Sequence, residues 1–136
     1  MSEKILTMKL LNEKFGVCRL NKNEPIPDWV KNSDFYSITK TSDELSILCY
    51  QDSIPNNIKC EKDWRTLKVE GTLDFSLIGI ISSISTILAL KRISIFAVST
   101  YDTDYILVKN KDIDNAILAL SNARYEVINQ ENMVLE

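Results

Sequence analysis

Hydrophobic and polar residues alternate over many short stretches of this chain, and this alternation predicts a protein rich in β-strands. Alternation over Lys4–Leu11 and Phe15–Leu20, with the polar triplet 12–14 between them, predicts a first hairpin. A second hairpin is predicted over 35–50, with its turn at 41–43. Further strands are predicted at 64–69, 93–99, 105–109 and 125–128.

Two other stretches have the spacing of helices. The apolar run from Leu77 to about Lys91 is too short to cross a bilayer and predicts a buried helix, which Asp74 or Ser76 can cap. Asp112 is predicted to cap a second, amphipathic helix. Apolar residues return there every three or four positions, at Ile113, Ala116, Ile117, Leu120 and Ala123.

Two segments of the chain align with each other without gaps. Phe35–Ile58 matches Ser94–Ile117 at an offset of 59 residues, as in the pair Thr41 and Thr100. Each copy is predicted to contain a strand, a tight turn, a strand and a short helix. Such repetition indicates two copies of one small unit. We place the N-terminal unit at residues 1–62 and the C-terminal unit at 63–136.

The predicted elements of the C-terminal unit follow the order β-α-β-β-α-β, which is that of a ferredoxin-like fold. Right-handed crossovers then give an antiparallel sheet with both helices on one face. The N-terminal unit is predicted to be a degenerate version with shortened helices. The fold class we expect is therefore α+β, with tandem ferredoxin-like βαββαβ units.

Composition narrows the possible functions. The 136 residues carry a formal net charge of −3 and no cationic run longer than Lys91-Arg92, so we expect no nucleic-acid partner. No cationic start followed by an apolar segment opens the chain, which favours a cytoplasmic location over secretion. No membrane partner is expected.

The inventory of reactive side chains is small. The chain has no histidine, so every Ser-His or Cys-His catalytic scheme is excluded. Cys18, Cys49 and Cys60 lack the C-x-x-C spacing of zinc sites and are interpreted as small core residues in a reducing compartment. We therefore expect no enzyme activity, no metal and no cofactor.

Two places suggest a ligand site. In the loop Glu70–Gly79, Gly79 begins a helix, where glycine is unfavourable and free N–H groups can bind a carboxylate. Close helix packing along Gly79, Ser83 and Thr86 is an equally good explanation. Asp104 opens an otherwise apolar strand and is the second candidate, whereas Asp102 is typical of a turn.

The C-terminal unit resembles a known family. The segment 64–120, and above all the block ISIFAVSTYDTDYILV, is similar to the ACT-domain family, and within it to the small tandem-ACT proteins of bacteria (CASTOR-like ACT). A weaker similarity covers 35–48. The resemblance implies paired ACT units in a homodimer, with a regulatory role through a small ligand, commonly an amino acid.

The resemblance also implies where the ligand binds, namely at an interface between ACT units. The site residues that it indicates are Asp74, Phe75, Ser76, Gly79, Ser99, Thr100 and Asp104, with Ser46 and Ile47 of the neighbouring unit. Such a site offers N–H donors for a carboxylate and an aspartate for an ammonium group. The alternative is a protein-interaction or assembly domain without a small ligand.

Overall fold

The computed structural model describes residues 6–70 and 79–130, which form two compact units. Residues 13–64 form one unit, which we call the inserted unit. Residues 6–12 and the described part of 65–130 form the other, which we call the split unit. Strands β1 (Thr7–Leu20) and β4 (Cys60–Val69) each contribute residues to both units. The predicted boundary between residues 62 and 63 falls inside β4.

The inserted unit consists of short strands and single helical turns. Its strands are adjacent in the order β2-β3-β1-β4. β1 and β3 are antiparallel, and their register runs from Phe15 opposite Tyr50 to Leu20 opposite Leu45. Between the shared strands β1 and β4, the elements in chain order are a 3₁₀ helix (Asp28–Asn32), β2 (Ser37–Lys40), β3 (Leu45–Tyr50) and a 3₁₀ helix (Gln51–Ser53).

The core of the inserted unit is small. One cluster of buried residues comes from β1, the first 3₁₀ helix, β3 and the residue after the second 3₁₀ helix, and it consists of Cys18, Val30, Leu45, Ile47, Cys49 and Ile54. Alternate residues of β3 contribute because successive side chains of a strand point to opposite faces. In β4, Asp63 has a φ of 67°, and its N–H donates to Gln51 Oε1 at 2.6 Å.

The split unit contains the two α-helices. Its strands are adjacent in the order β7-β1-β4-β6-β5; β5 and β6 are antiparallel, whereas β1 and β7 are parallel. After the shared strands the elements are α1 (Ile80–Leu90), β5 (Ile95–Ser99), β6 (Asp104–Lys109), a 3₁₀ helix (Asn110–Asp112), α2 (Ile113–Asn122) and β7 (Glu126–Asn129). Neither α-helix of the described residues is long and apolar enough to cross a membrane.

The core of the split unit is larger and mostly aliphatic. The predicted apolar face of α2 is buried there through Ile113, Ala116, Ile117 and Leu120. α1 contributes Ile84 and Leu88, and the strands supply most of the other buried residues. The fold class is thus α+β with a largely antiparallel sheet, as the sequence predicts.

Three local predictions were wrong. β1 is one continuous strand rather than a hairpin, because Thr7–Leu10 pairs with β7 and Phe15–Leu20 pairs with β3. The sheet contains a parallel pair, since β7 joins β1. α1 begins at Ile80 rather than Leu77, with Gly79 in the N-cap position.

Asp112 occupies the N-cap position of α2, as predicted. Its side chain, however, forms no capping hydrogen bond with the described residues. The first-turn N–H groups of α2 are therefore not capped by Asp112.

Candidate functional site

Helix α1 begins beside an exposed glycine. Gly79 has a φ of 84°, and a Cβ atom at this position would have no described neighbour within 4 Å. Its carbonyl accepts a 2.7 Å hydrogen bond from the Ser83 N–H, but no described side chain caps the helix. Within the described residues the first-turn N–H groups of α1 thus have no side-chain cap, and N–H groups at such a position attract anions.

The open space around Gly79 also tests the packing explanation. A glycine required by close helix packing would have neighbouring atoms where its Cβ would lie, and Gly79 has none among the described residues. The positive φ accounts for the glycine instead, because side-chain-bearing residues rarely adopt that conformation. Gly79 is thus needed for the turn into α1, and no described residue fills the space where its Cβ would lie.

The tip of the β5–β6 hairpin is anchored to the end of β4. Thr100 and Thr103 close the turn through a 2.8 Å backbone bond and a 3.2 Å bond from the Thr103 N–H to Thr100 Oγ1. The buried Thr103 hydroxyl donates to the Val69 carbonyl at 2.7 Å. Ser99 and Asp104 lie opposite each other at the same tip. The structure therefore brings three predicted residues, Ser99, Thr100 and Asp104, to one end of the hairpin.

Charged groups surround the end of β4. Glu70 forms an ion pair with Lys9 at 2.9 Å and lies 3.9 Å from Lys68. Burial raises the pKa of Tyr105 above its usual value, and the negative charges of Asp102 and Glu70 raise it further. Sequence reasoning missed the Lys9–Glu70 pair, because Lys9 is far from Glu70 in the sequence and belongs to the neighbouring strand.

The remaining predicted residues have different surroundings. Asp74, Phe75 and Ser76 lie outside the described residues. Ile47 is fully buried in the core of the inserted unit, so its side chain packs there. Ser46 lines a cavity of about 200 Å³ in the same unit.

The cavity beside Ser46 has two thiols in its wall. Cys18 and Cys60 line it, together with the cations Arg19 and Lys59. Burial and the adjacent Cys18 thiol raise the pKa of Cys60 to about 12, which makes it a poor nucleophile and metal ligand at neutral pH. Within the described residues, no group of three histidine, cysteine or acidic side chains is placed to hold a metal ion.

This chain belongs to the ACT-domain family. The family model of the ACT domain matches residues 59–122, and a model described as an N-terminal domain matches residues 13–57. The chain is also similar to protein Atu0741 from Agobacterium tumefaciens, whose crystal structure shares 34% identity and a TM-score of 0.88 and covers 99% of this chain and 100% of that one. A search of the curated proteins found no match.

More distant structures share the fold. A Vibrio cholerae protein of unknown function, VC0802, described as a possible transport protein, has 15% identity and a TM-score of 0.71, over 86% of this chain and 88% of that one. The ligand-free regulatory subunit of aspartate kinase from Thermus thermophilus has 12% identity and a TM-score of 0.60, over 88% of this chain and 99% of that one.

Proposed function

We propose that this protein is a non-enzymatic regulatory module of the cytoplasm that binds a small molecule, in the first instance an amino acid, between ACT units. The observation that carries the proposal is the start of α1, where no described side chain caps the helix and no described atom lies where a Cβ of Gly79 would be. A ligand carboxylate is the natural partner of such a helix start. Asp104 supplies a negative charge for the ammonium group, and Asp74, Phe75, Ser76, Ser99 and Thr100 complete the proposed site, with Ser46 from a neighbouring unit. The Ile47 side chain is buried in the core of the inserted unit, so we leave it out of the proposed site.

The family membership supports a binding role over catalysis. The regulatory subunit of aspartate kinase has the same fold over nearly its whole length. The absence of histidine from the sequence leaves few groups for acid–base chemistry at neutral pH.

The proposal includes a homodimer, and light scattering after gel filtration measures its mass. It also includes a common βαββαβ plan for both units, with 3₁₀ turns in place of helices in the inserted unit.

A thermal-shift screen against the twenty amino acids tests the proposal directly. An amino acid at 100 times its Kd adds about 2.7 kcal/mol to the free energy of unfolding. Asp104→Ala is expected to abolish the shift, because the ligand's ammonium group loses its counter-charge. Asp52→Ala is the matched control, since it removes the same charge from an exposed 3₁₀ turn of the inserted unit.

Two results would contradict the proposal. One is an unchanged melting temperature with every amino acid at millimolar concentration, which would favour the assembly domain without a small ligand. The other is a shift that Asp104→Ala and Asp52→Ala leave equally large, which would remove Asp104 from the site.

A further inference from the structure

A second cavity opens in the split unit where α2 begins, and none of the residues proposed above lines it. Its volume is about 410 Å³, within the range of small-molecule sites. Leu10 of β1, Arg65 of β4 and the first two turns of α2 form its wall. All of these residues belong to the same compact unit.

The cation in this wall, Arg65, has no anionic partner among the described residues. Arg65 donates from Nη1 to Asn110 Oδ1 at 3.4 Å and from Nη2 to the Leu11 carbonyl at 3.2 Å, and both acceptors are neutral. Its Nε is buried and has no hydrogen-bond partner among the described residues. No described carboxylate forms an ion pair with it. A carboxylate is the best partner for such a half-buried guanidinium, because it neutralises the charge and can accept hydrogen bonds from two of the five N–H donors.

The rest of the wall adds an acid and an apolar surface. Asp114 and Asn115 are exposed polar residues in the first turn of α2. Leu10, Ile113 and Ile117 form the apolar side of the cavity, and Leu118 is 58% exposed beside them. An aliphatic group in the cavity would cover part of this apolar surface, which favours binding.

We propose that this cavity is a second binding site, which takes a small zwitterion with an aliphatic body, such as a free aliphatic amino acid. The carboxylate bonds to Arg65, the ammonium group bonds to Asp114, and the aliphatic group lies on Leu118. Asp114 disfavours phosphate and other multiply charged anions, because its carboxylate repels them. The site is independent of the one proposed at the start of α1.

Three probes with the same aliphatic body separate the contributions of the two charges. Leucine carries both charges, 4-methyl-2-oxopentanoate lacks the ammonium group, and 3-methylbutylamine lacks the carboxylate. We expect leucine to bind about tenfold more tightly than the oxo acid, and the amine to give no saturable binding, since a charge-assisted hydrogen bond is lost in each case. Methionine is a second zwitterionic probe of different shape.

Nitrogen-15 NMR of the full chain shows where each probe binds. Leucine is expected to shift the Arg65 Nε–H signal and the backbone amides of Ile113–Asn115. Shifts confined to 79–83 and 99–104 would overturn this inference and leave the proposed function intact. Shifts confined to Arg65 and 113–115 would support this inference and contradict the proposed function. No saturable shift at Arg65 and 113–115 with leucine or methionine at millimolar concentration also overturns it.

Variants complete the test. Arg65→Met and Asp114→Asn are each expected to weaken leucine binding about tenfold or more, whereas Arg65→Lys should recover part of the loss because it restores the charge. Asp52→Asn is the control for Asp114→Asn. Asp114 is exposed, so its variant is expected to fold even if Arg65→Met does not. Unchanged affinity in Asp114→Asn, or in an Arg65→Met variant that folds, would overturn the inference.

Discussion

The two hairpins of this protein are built alike, but the segments that follow them differ. β3 and β6 are related by the offset of 59 residues, and so are the 3₁₀ turns Gln51–Ser53 and Asn110–Asp112. In both hairpins a threonine closes the turn. The Thr41 N–H donates to the Glu44 carbonyl at 2.9 Å, and Thr41 Oγ1 accepts from the Glu44 N–H. Thr100 and Thr103 form the same two bonds.

The difference begins one residue after each 3₁₀ turn. Ile54 and Ile113 are each 6% exposed, so both copies continue with an equivalent buried isoleucine. In the split unit the helical face continues through Ala116 and Leu120, whereas the aligned residues of the inserted unit are Asn57 and Glu61. An amphipathic helix needs apolar residues at those positions to bury one face. The comparison shows that a hairpin of this kind forms in both units, although an α-helix follows it in only one.

The largest effect is expected where the helical face differs between the copies. Leu120 is fully buried, so Leu120→Ala should lower the free energy of unfolding by about 2–5 kcal/mol. Its aligned partner Glu61 is exposed, and Glu61→Ala should change stability by no more than about 1 kcal/mol. Urea unfolding measures both. Equal losses in the two variants would mean that the inserted unit depends on this position as the split unit does.

The second prediction concerns the small core of the inserted unit. A Cβ at Gly16 would lie 2.5 Å from Ile54 Cδ1 and 2.7 Å from Cys60 Sγ, so Gly16→Ala should destabilise the protein by about 1–3 kcal/mol. Adding Ile54→Val removes the nearer methyl group and should restore part of the loss. If Gly16→Ala unfolds at the wild-type urea concentration, the inserted unit is packed more loosely than the structure indicates.

The third prediction tests the equivalence of the two turns. Thr41→Val and Thr100→Val each remove the hydroxyl that accepts a turn N–H, so each should cost about 1 kcal/mol. We expect the two losses to agree within about 0.5 kcal/mol in the same denaturation experiment. A much larger loss for Thr100→Val would show that the contact between Thr103 and Val69 depends on this turn.

The fourth prediction concerns alkaline pH. The inserted unit buries thiols where the split unit buries aliphatic groups, as in the aligned pair Cys49 and Val108. The pKa of Cys60 rises from 9.0 to about 12, so the unfolded chain loses this proton first. The contribution of Cys60 to stability is therefore complete below pH 9 and declines as the pH rises towards 12.

Unfolding free energies of the wild type and Cys60→Ala, measured between pH 7 and 11, isolate that contribution. The difference between the two proteins should be constant at neutral pH and change above pH 9. A difference that stays constant over the whole range would show that Cys60 is not shielded from solvent in the folded protein.

The β2–β3 and β5–β6 hairpins and the helix α2 could be predicted from sequence because their signals are local. Thr41 and Thr100 mark the turns, and apolar residues every three or four positions mark α2. The continuity of β1 could not be predicted, because the polar residues 12–14 have the composition of a turn. They remain extended since the strand residues on either side pair with different neighbours, β7 and β3, which are distant in sequence.

The residues of the candidate sites could likewise be predicted only where they are close together in the sequence. Ser99, Thr100 and Asp104 were identified from one short block and are close together in the structure. Arg65 was not identified, because its surroundings come from Leu11, Asn110 and α2, which are far from it in the sequence. The positive φ of Gly79 could not be predicted either, because glycine adopts positive and negative φ values about equally readily.

The two strands that belong to both units set a limit on dissection of this protein. A gene fragment that ends at residue 62 or begins at residue 63 divides β4, and each piece then carries an incomplete strand with unpaired backbone groups. Excision of either half therefore leaves the other with an exposed sheet edge, which promotes aggregation. Binding studies should therefore use the intact chain.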